Sequence, residues 1–221
     1  MLHCRGGLFY ARIHGTIIAM KHLAAPGLRI LILAAGFSTR LGYPKALARI
    51  RGLSLLRRTA CVLTGFSSRP LIVVTPPRCT RYRQELRGLD ALLIANAGRA
   101  SGLSGSLRRG LRAARCSSAV LIVPVDLAAL DRADVVRLAS RWHAARRRIV
   151  ARRIGARSGT PLILPKCFFH LAQGVSGDTG LRDLLAELAT DERVLIDMPS
   201  AIRDIDTPSD LRHARRAQTR R

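Results

Sequence analysis

The sequence predicts an α/β protein built on a buried parallel sheet, and three observations carry that expectation. From Arg29 onward, short β-branched or Leu-rich runs alternate with longer amphipathic stretches, the signature of βαβ units. Most of the short runs are apolar throughout, as strands covered on both faces should be. The chain has 221 residues, 48% of them hydrophobic, enough for one sizeable core, and it shows neither an internal repeat nor a linker that would split it.

The opening stretch, 1–27, is read as an extension outside the fold. Arg5, Arg12 and Lys21 interrupt its weakly apolar part, so it lacks the clean apolar region of a secretory signal. Met1–Ala19 shows neither helical nor strand periodicity and is expected to be disordered. The single domain expected over 28–216 then begins with a strand at Arg29–Ala34 and a helix at Ser54–Thr64. Strand Pro70–Thr75 leads to helix Arg78–Arg87, and strand Asp90–Ala95 to helix Ser104–Arg115. Strand Ala119–Val125 precedes helix Asp131–Arg146, where Val135, Leu138 and Trp142 form one apolar stripe and Asp131 can cap the first turn. Strands Arg148–Arg153 and Thr160–Leu164 are followed by helices Lys166–Gln173 and Thr179–Leu188. Strand Arg193–Asp197 and a short piece at Ala201–Asp206 lead to a last helix, Pro208–Arg216. There Thr207-Pro208-Ser209-Asp210 supplies a hydroxyl cap, a proline at the first helical position and a carboxylate three residues after the cap. Residues 217–221 make a basic tail.

Composition excludes several classes. Lys and Arg number 38 against 14 Asp and Glu, a formal charge of +24, so anionic partners suit the chain. Lys21, Lys45 and Lys166 are the only lysines, and such arginine usage looks more like coding bias than a nucleic-acid code. Aromatics are only 4% and no stacking motif appears, which ranks a basic nucleic-acid-binding protein below an enzyme. The five cysteines, Cys4, Cys61, Cys79, Cys116 and Cys167, are dispersed and fit neither a disulfide framework nor a zinc site. No apolar run approaches the ~20 residues a membrane span needs. Cytoplasm is the expected compartment.

The sharpest motif is Leu33-Ala34-Ala35-Gly36-Phe37-Ser38-Thr39-Arg40-Leu41-Gly42-Tyr43-Pro44-Lys45, directly after the first strand. Loops at the C-terminal edge of a parallel sheet line the ligand crevice, and glycine lets backbone N–H groups approach a phosphate closely. Arg40 and Lys45 add fixed positive charge. The spacing matches neither the P-loop nor the dinucleotide fingerprint. An ordinary strand-to-helix turn is the structural alternative.

A second region, Asn96 to Leu107, brings small and hydroxyl-bearing residues to a helix start, where backbone N–H groups can hold a base edge or a phosphate. Asp126 ends the apolar run Ala119–Val125, and a carboxylate at a buried strand end is costly unless hydrated, paired or metal-bound. Asp206 sits just before the capped last helix and would aim toward the same crevice. Two carboxylates from separate strand ends fit magnesium, which is held by one or two carboxylates plus substrate phosphates and waters. Asp204 and Asp210 read as solvated turn and capping residues.

The first motif resembles the opening signature of the nucleotidyltransferases that modify the molybdenum cofactor, L-A-[AG]-G-x-S-x-R-x-G-x-x-K, and every fixed position is met. Asn96, Gly102, Leu103, Ser106 and Leu107 match the N-x-x-x-x-x-G-[ML]-x-x-S-L stretch of the cytidylyltransferase branch, although Arg99 replaces its usual aromatic. Asp126-Leu127-Ala128 keeps the aspartate of the family's D-x-P and loses the proline. Asp204-Ile205-Asp206-Thr207-Pro208-Ser209-Asp210 is nearly its D-I-D-T-P-x-D-L, while Gly159-Thr160-Pro161 lacks the histidine of G-H-P. Ser176 to Arg182 resembles S-G-D-x-G-x-R, a segment that can contribute to the acceptor pocket.

The resemblance runs in order from Leu28 to about Leu211. It implies a three-layer α/β/α, Rossmann-like nucleotidyltransferase fold around a mixed, mainly parallel sheet. It places Leu33, Ala34, Ala35, Gly36, Ser38, Arg40, Gly42 and Lys45 around the triphosphate, and Asn96, Gly102, Ser104 and Ser106 beside the nucleotide. It makes Lys45, Arg40 and Asp126 catalytic, with Asp126 and Asp206 on Mg2+. The implied reaction is transfer of a nucleoside monophosphate to a molybdopterin-type acceptor; L-A-A-G points to CTP, whereas L-A-G-G accompanies GTP. A sugar-phosphate or other small-phosphate nucleotidyltransferase is the nearest alternative. Molybdenum hydroxylases, or their maturation factor, are the recipients that the resemblance suggests.

Overall fold

The computed structural model describes residues 10–13, 16–19, 25–98, 102–155, 157–175, 180–199 and 204–219. Eleven strands and seven α-helices follow one another along these residues. Strands β1 (Tyr10–Ile13) and β2 (Thr16–Ala19) pair antiparallel as a separate two-stranded sheet. Disorder is the expectation over Met1–Ala19; residues 10–13 and 16–19 pair instead, in runs of four too short for alternation to show, while 1–9 and 14–15 lie outside the described residues. The main fold begins with β3 (Leu28–Leu33). A two-residue ladder, β4 (Arg49–Ile50) with β5 (Leu53–Ser54), leads into α1 (Leu55–Leu63), whose cap is the Ser54 hydroxyl accepting from Arg57 N at 3.1 Å.

There follow β6 (Leu71–Thr75), α2 (Thr80–Glu85), β7 (Ala91–Ala95), α3 (Gly102–Ala113), β8 (Ala119–Pro124) and α4 (Arg132–Ala144). Asp131 caps α4 as expected, accepting from Asp134 N at 2.8 Å. Next come β9 (Ile149–Ile154), β10 (Arg157–Pro165), α5 (Phe169–Gly174), α6 (Gly180–Glu187), β11 (Arg193–Ile196) and α7 (Pro208–Thr219). A 3-10 turn, Lys166–Phe168, replaces the start expected for α5. The strand expected at Ala201–Asp206 does not form over Asp204–Asp206, and its first residues lie outside those described.

The seven-stranded sheet has the order β11-β9-β10-β8-β3-β6-β7. Only β10 runs against its neighbours: it is antiparallel to β8 and β9, while the β11–β9, β8–β3, β3–β6 and β6–β7 pairs are parallel. The sheet is thus mixed and mainly parallel. From β3 the chain steps outward to β6 and β7, then returns to place β8 on the other side of β3. The strand order therefore reverses between β3 and β8, and such a reversal is the topological switch point at which open α/β sheets bind ligands.

Alternation along the central strands separates two apolar layers. Leu28, Ile30 and Ile32 of β3 and Leu121 and Val123 of β8 pack on one face with Leu56, Leu63, Tyr82, Trp142 and Leu211, which come from α1, α2, α4 and α7. Leu31, Leu33, Val120 and Ile122 pack on the other with Leu107 and Leu111 of α3, Phe169 of α5 and Leu185 of α6. Both faces are covered, so the central strands read as unbroken apolar runs. The arginine-rich composition also serves packing. Arg132 donates to the carbonyls of Val62 and Thr64 at the C-terminal end of α1, at 2.9 and 2.8 Å, and lies over the Phe66 ring.

One close approach sets the position of α3. A Cβ at Gly110 would stand 2.4 Å from Leu31 Cδ1, and Leu31 is fully buried in β3. Gly110→Ala is expected to destabilise the protein by about 1–3 kcal/mol through overpacking. A lowered urea midpoint at unchanged slope would show it; an unchanged midpoint would mean that α3 does not bed on Leu31 as described.

Candidate active site

The glycine loop is shaped by its own hydrogen bonds. Ser38 takes a left-handed backbone conformation, φ 56°, and its carbonyl accepts from Leu41 N at 3.0 Å and from Gly42 N at 3.2 Å, closing the 3-10 turn Thr39–Leu41. Gly42 follows at φ 80°, where a side chain would be strained. The Ser38 hydroxyl accepts from Lys45 N at 2.9 Å, which brings the lysine back beneath the loop. Ser38 is thus a brace for Lys45, and its hydroxyl hydrogen is left to donate to a ligand oxygen.

Lys45 is the centre of the site. Its Nζ donates to Asp126 Oδ2 at 3.0 Å and to Asp206 Oδ1 at 2.6 Å. Arg40 Nη2 lies 3.1 Å from Asp206 Oδ2. Burial opposes the charge on Lys45, but the two carboxylates outweigh it and hold the ammonium above the ordinary lysine pKa. Asp126 Oδ1 is buried and has no hydrogen-bond partner among the described residues. A buried carboxylate oxygen left bare beside an open cleft fits a divalent cation.

Asp206 reaches this point by a route other than a strand end. Ile205 N donates to the Asp126 carbonyl at 3.0 Å, tying the segment before α7 to the loop after β8. One oxygen of Asp210, Oδ2, accepts from Asp206 N, Thr207 N and Thr207 Oγ1 at 3.0, 2.7 and 2.8 Å, and these bonds pull its carboxyl below the usual pKa. Asp210 N in turn donates to Thr207 Oγ1 at 3.2 Å, so the capping motif expected at Thr207–Asp210 is formed. Asp204 lines a neighbouring cavity instead. Burial, and then the charge of Asp126, raise its pKa, and Arg152 Nη1 stands 3.7 Å off.

The loop, Lys45 and the two aspartates border a cleft of about 480 Å3. Leu33, Ala34, Ala35, Gly36, Ser38, Arg40 and Lys45 form one wall, Gly102 and Ser106 of α3 another, and Asp126 and Asp206 the floor. Gly42, Asn96 and Ser104 are not in its lining. Asn96 is fully buried, donating to Ser106 Oγ and accepting from Arg109 Nε, each at 3.0 Å. It braces α3, and through α3 the cleft wall. Ser104 is buried within α3. Thr160 lies in β10, where its carbonyl accepts from Arg152. Ser176 to Thr179 lie outside the described residues. Phe37, absent from the motif's fixed positions, lines the cleft while 54% exposed; its signal was an aromatic in a loop of an aromatic-poor chain.

Among the described residues no helix is long and apolar enough to cross a membrane, and no group of three or more His, Cys, Asp and Glu converges as a metal cluster.

No curated protein matches the chain. Among solved structures the fold is shared with Rv0371C of Mycobacterium tuberculosis H37Rv, solved in complex with manganese, at 21% identity and TM-score 0.66 over 86% of this chain and 98% of that one. It is shared with 2-C-methyl-D-erythritol 4-phosphate cytidylyltransferase of Thermus thermophilus, at 20% identity and TM-score 0.63 over 87% and 98%. It is shared too with molybdopterin-guanine dinucleotide biosynthesis protein A of Archaeoglobus fulgidus, at 14% identity and TM-score 0.66 over 87% and 100%. At these identities the likeness is one of fold. Residues 30–193 match the family described as MobA-like NTP transferase domain. That match takes in the glycine loop, the α3 wall and Asp126, and with it the chain belongs to the MobA-like NTP transferase family and is a nucleotidyltransferase.

Proposed function

We propose that this protein transfers the cytidine monophosphate of CTP to the phosphate of a molybdopterin-type cofactor, with release of pyrophosphate and with magnesium as the divalent cation. The observation that carries the reading is the cleft itself, in which a complete L-A-A-G-x-S-x-R-x-G-x-x-K loop overhangs the Lys45, Asp126 and Asp206 triad. In this reaction an acceptor phosphate oxygen attacks the α-phosphorus, and the bond to the departing pyrophosphate breaks. No protein nucleophile is needed; placement and charge neutralisation supply the catalysis.

The loop N–H groups and Ser38 hold the phosphates, and Arg40 and Lys45 neutralise the charge gathering on pyrophosphate. Asp126, with its bare Oδ1, and Asp206 are the residues that would hold the cation. When bound, the cation would polarise the α-phosphate. Support for CTP comes from Ala35 in the resembling motif. Ala35 is buried with Leu33 and Leu107 where the loop leaves β3, and it lines the cleft. Transfer to a sugar or alcohol phosphate is the second reading, favoured by the departures at Ala128 and Thr160 on the acceptor side and by the fold shared with the methylerythritol phosphate enzyme.

Lys45→Ala is expected to lower turnover by about 10²–10³-fold with the circular dichroism spectrum retained; turnover within a few-fold of the parent at saturating substrate would remove Lys45 from the chemistry. Asp126→Asn and Asp206→Asn should each weaken magnesium-dependent turnover without unfolding, and a magnesium titration that superimposes on the parent's would refute the metal assignment. Pyrophosphate release measured with CTP, GTP, ATP and UTP, against molybdopterin-type and sugar-phosphate acceptors, should favour CTP by roughly 10–200-fold. A preference for GTP would overturn the cytidylyl assignment. Turnover with a sugar phosphate alone would establish the second reading.

A further inference from the structure

The carboxylate pair of the cleft is already occupied by the protein's own cations. Of its four oxygens, Asp126 Oδ2 and Asp206 Oδ1 are engaged by Lys45, Asp206 Oδ2 by Arg40, and Asp126 Oδ1 alone is bare. Two cations face these two anions, and the neighbouring Asp204 is offset by Arg152 at 3.7 Å, so the cluster is electrically balanced without a ligand. A divalent cation arriving by itself would add positive charge to a balanced group and, to reach beyond the bare Asp126 Oδ1 and engage both carboxylates, would have to displace the Lys45 ammonium from between its partners. The expelled ammonium would then be left largely buried, since its side chain is only 14% exposed, and without an anion. A triphosphate reverses both costs, because it brings more negative charge than the cation brings positive and gives Lys45 a new partner.

We propose that Lys45 is a gate on the metal site: its ammonium stands in for the divalent cation in the free protein and yields that place only when a triphosphate arrives to receive it. Resting on the nucleotidyltransferase reading, this assigns Lys45 a second duty, coupling metal entry to nucleotide entry. The free protein thereby avoids an unproductive metal complex, and metal and triphosphate each raise the affinity for the other. The lysine can make this exchange because it is a compact point charge on a flexible stem, which a planar guanidinium is not.

The test measures metal binding with no nucleotide present. Free Mn2+ followed by electron paramagnetic resonance should show weak binding to the parent protein, and binding tighter by about 5–150-fold in Lys45→Met, the usual span of coupling between two sites. Binding no tighter than the parent's in a folded Lys45→Met protein would overturn the gate. Should that variant fail to fold, the parent decides the matter through its side-chain amines, which come from only three lysines. The Lys45 side-chain nitrogen signal should stay in place on addition of Mg2+ alone and move when tripolyphosphate is added with Mg2+. Movement with Mg2+ alone, at the concentrations that move it with tripolyphosphate, would overturn the proposal. Absence of nucleotidyl transfer alongside the expected Mn2+ result would count against the proposed reaction and leave the gate standing.

Discussion

One ammonium group holds the working end of this protein together. Lys45 bonds to carboxylates 81 and 161 positions away in sequence, both in the other half of the chain. The loop after β3, the turn after β8 and the approach to α7 meet at that nitrogen. Most of the local architecture can be read as serving the meeting. Ser38 turns Lys45 inward, the Ile205 to Asp126 backbone bond fixes the spacing of the two acidic segments, and the Asp210 carboxylate holds the backbone of Asp206 and Thr207. A lysine so enclosed is costly to bury, and only the paired carboxylates make the position tenable.

The meeting point is also where topology requires an opening. Because β6 and β7 extend the sheet on one side of β3 while β8 and β10 extend it on the other, the strand order reverses between β3 and β8. Open α/β sheets place their ligand crevice at such a reversal. What this chain adds is chemistry on both banks, the small-residue loop on one and α3 on the other, with acid and base below. The reversed strand β10 lies beyond β8, next to the bank that carries Asp126. It is there that the chain departs from the resembling motifs, at Ala128 and Thr160.

Much of this was legible in the sequence, and the reasons differ from element to element. The strands β3, β6 and β8 announced themselves because burial on two faces demands unbroken apolar runs. The caps of α4 and α7 were readable because a single side chain three residues from its partner carries each of them. The direction of β10 was not readable from its apolar residues, since a strand's composition does not record which way its neighbour runs. Asp206 was rightly brought toward Asp126, yet not by a strand: the connection is a backbone hydrogen bond, and backbone bonds leave no mark on residue type. Asn96 shows the opposite case. Its place in a motif suggested a ligand contact, but it is sealed between Ser106 and Arg109, a role that only three-dimensional packing reveals.

The contact between Gly110 and Leu31 reaches further than stability. The helix that beds on β3 at Gly110 carries Gly102 and Ser106 into the cleft wall about one to two turns earlier. The depth of that seat therefore governs how far this bank stands from the glycine loop. The breadth of the opening is inherited from a missing methyl group beneath the helix, at a position that touches nothing in the cleft. Changes in size at such a position would alter which molecules can enter while leaving every reacting group chemically the same, so selectivity here can be adjusted from the core outward.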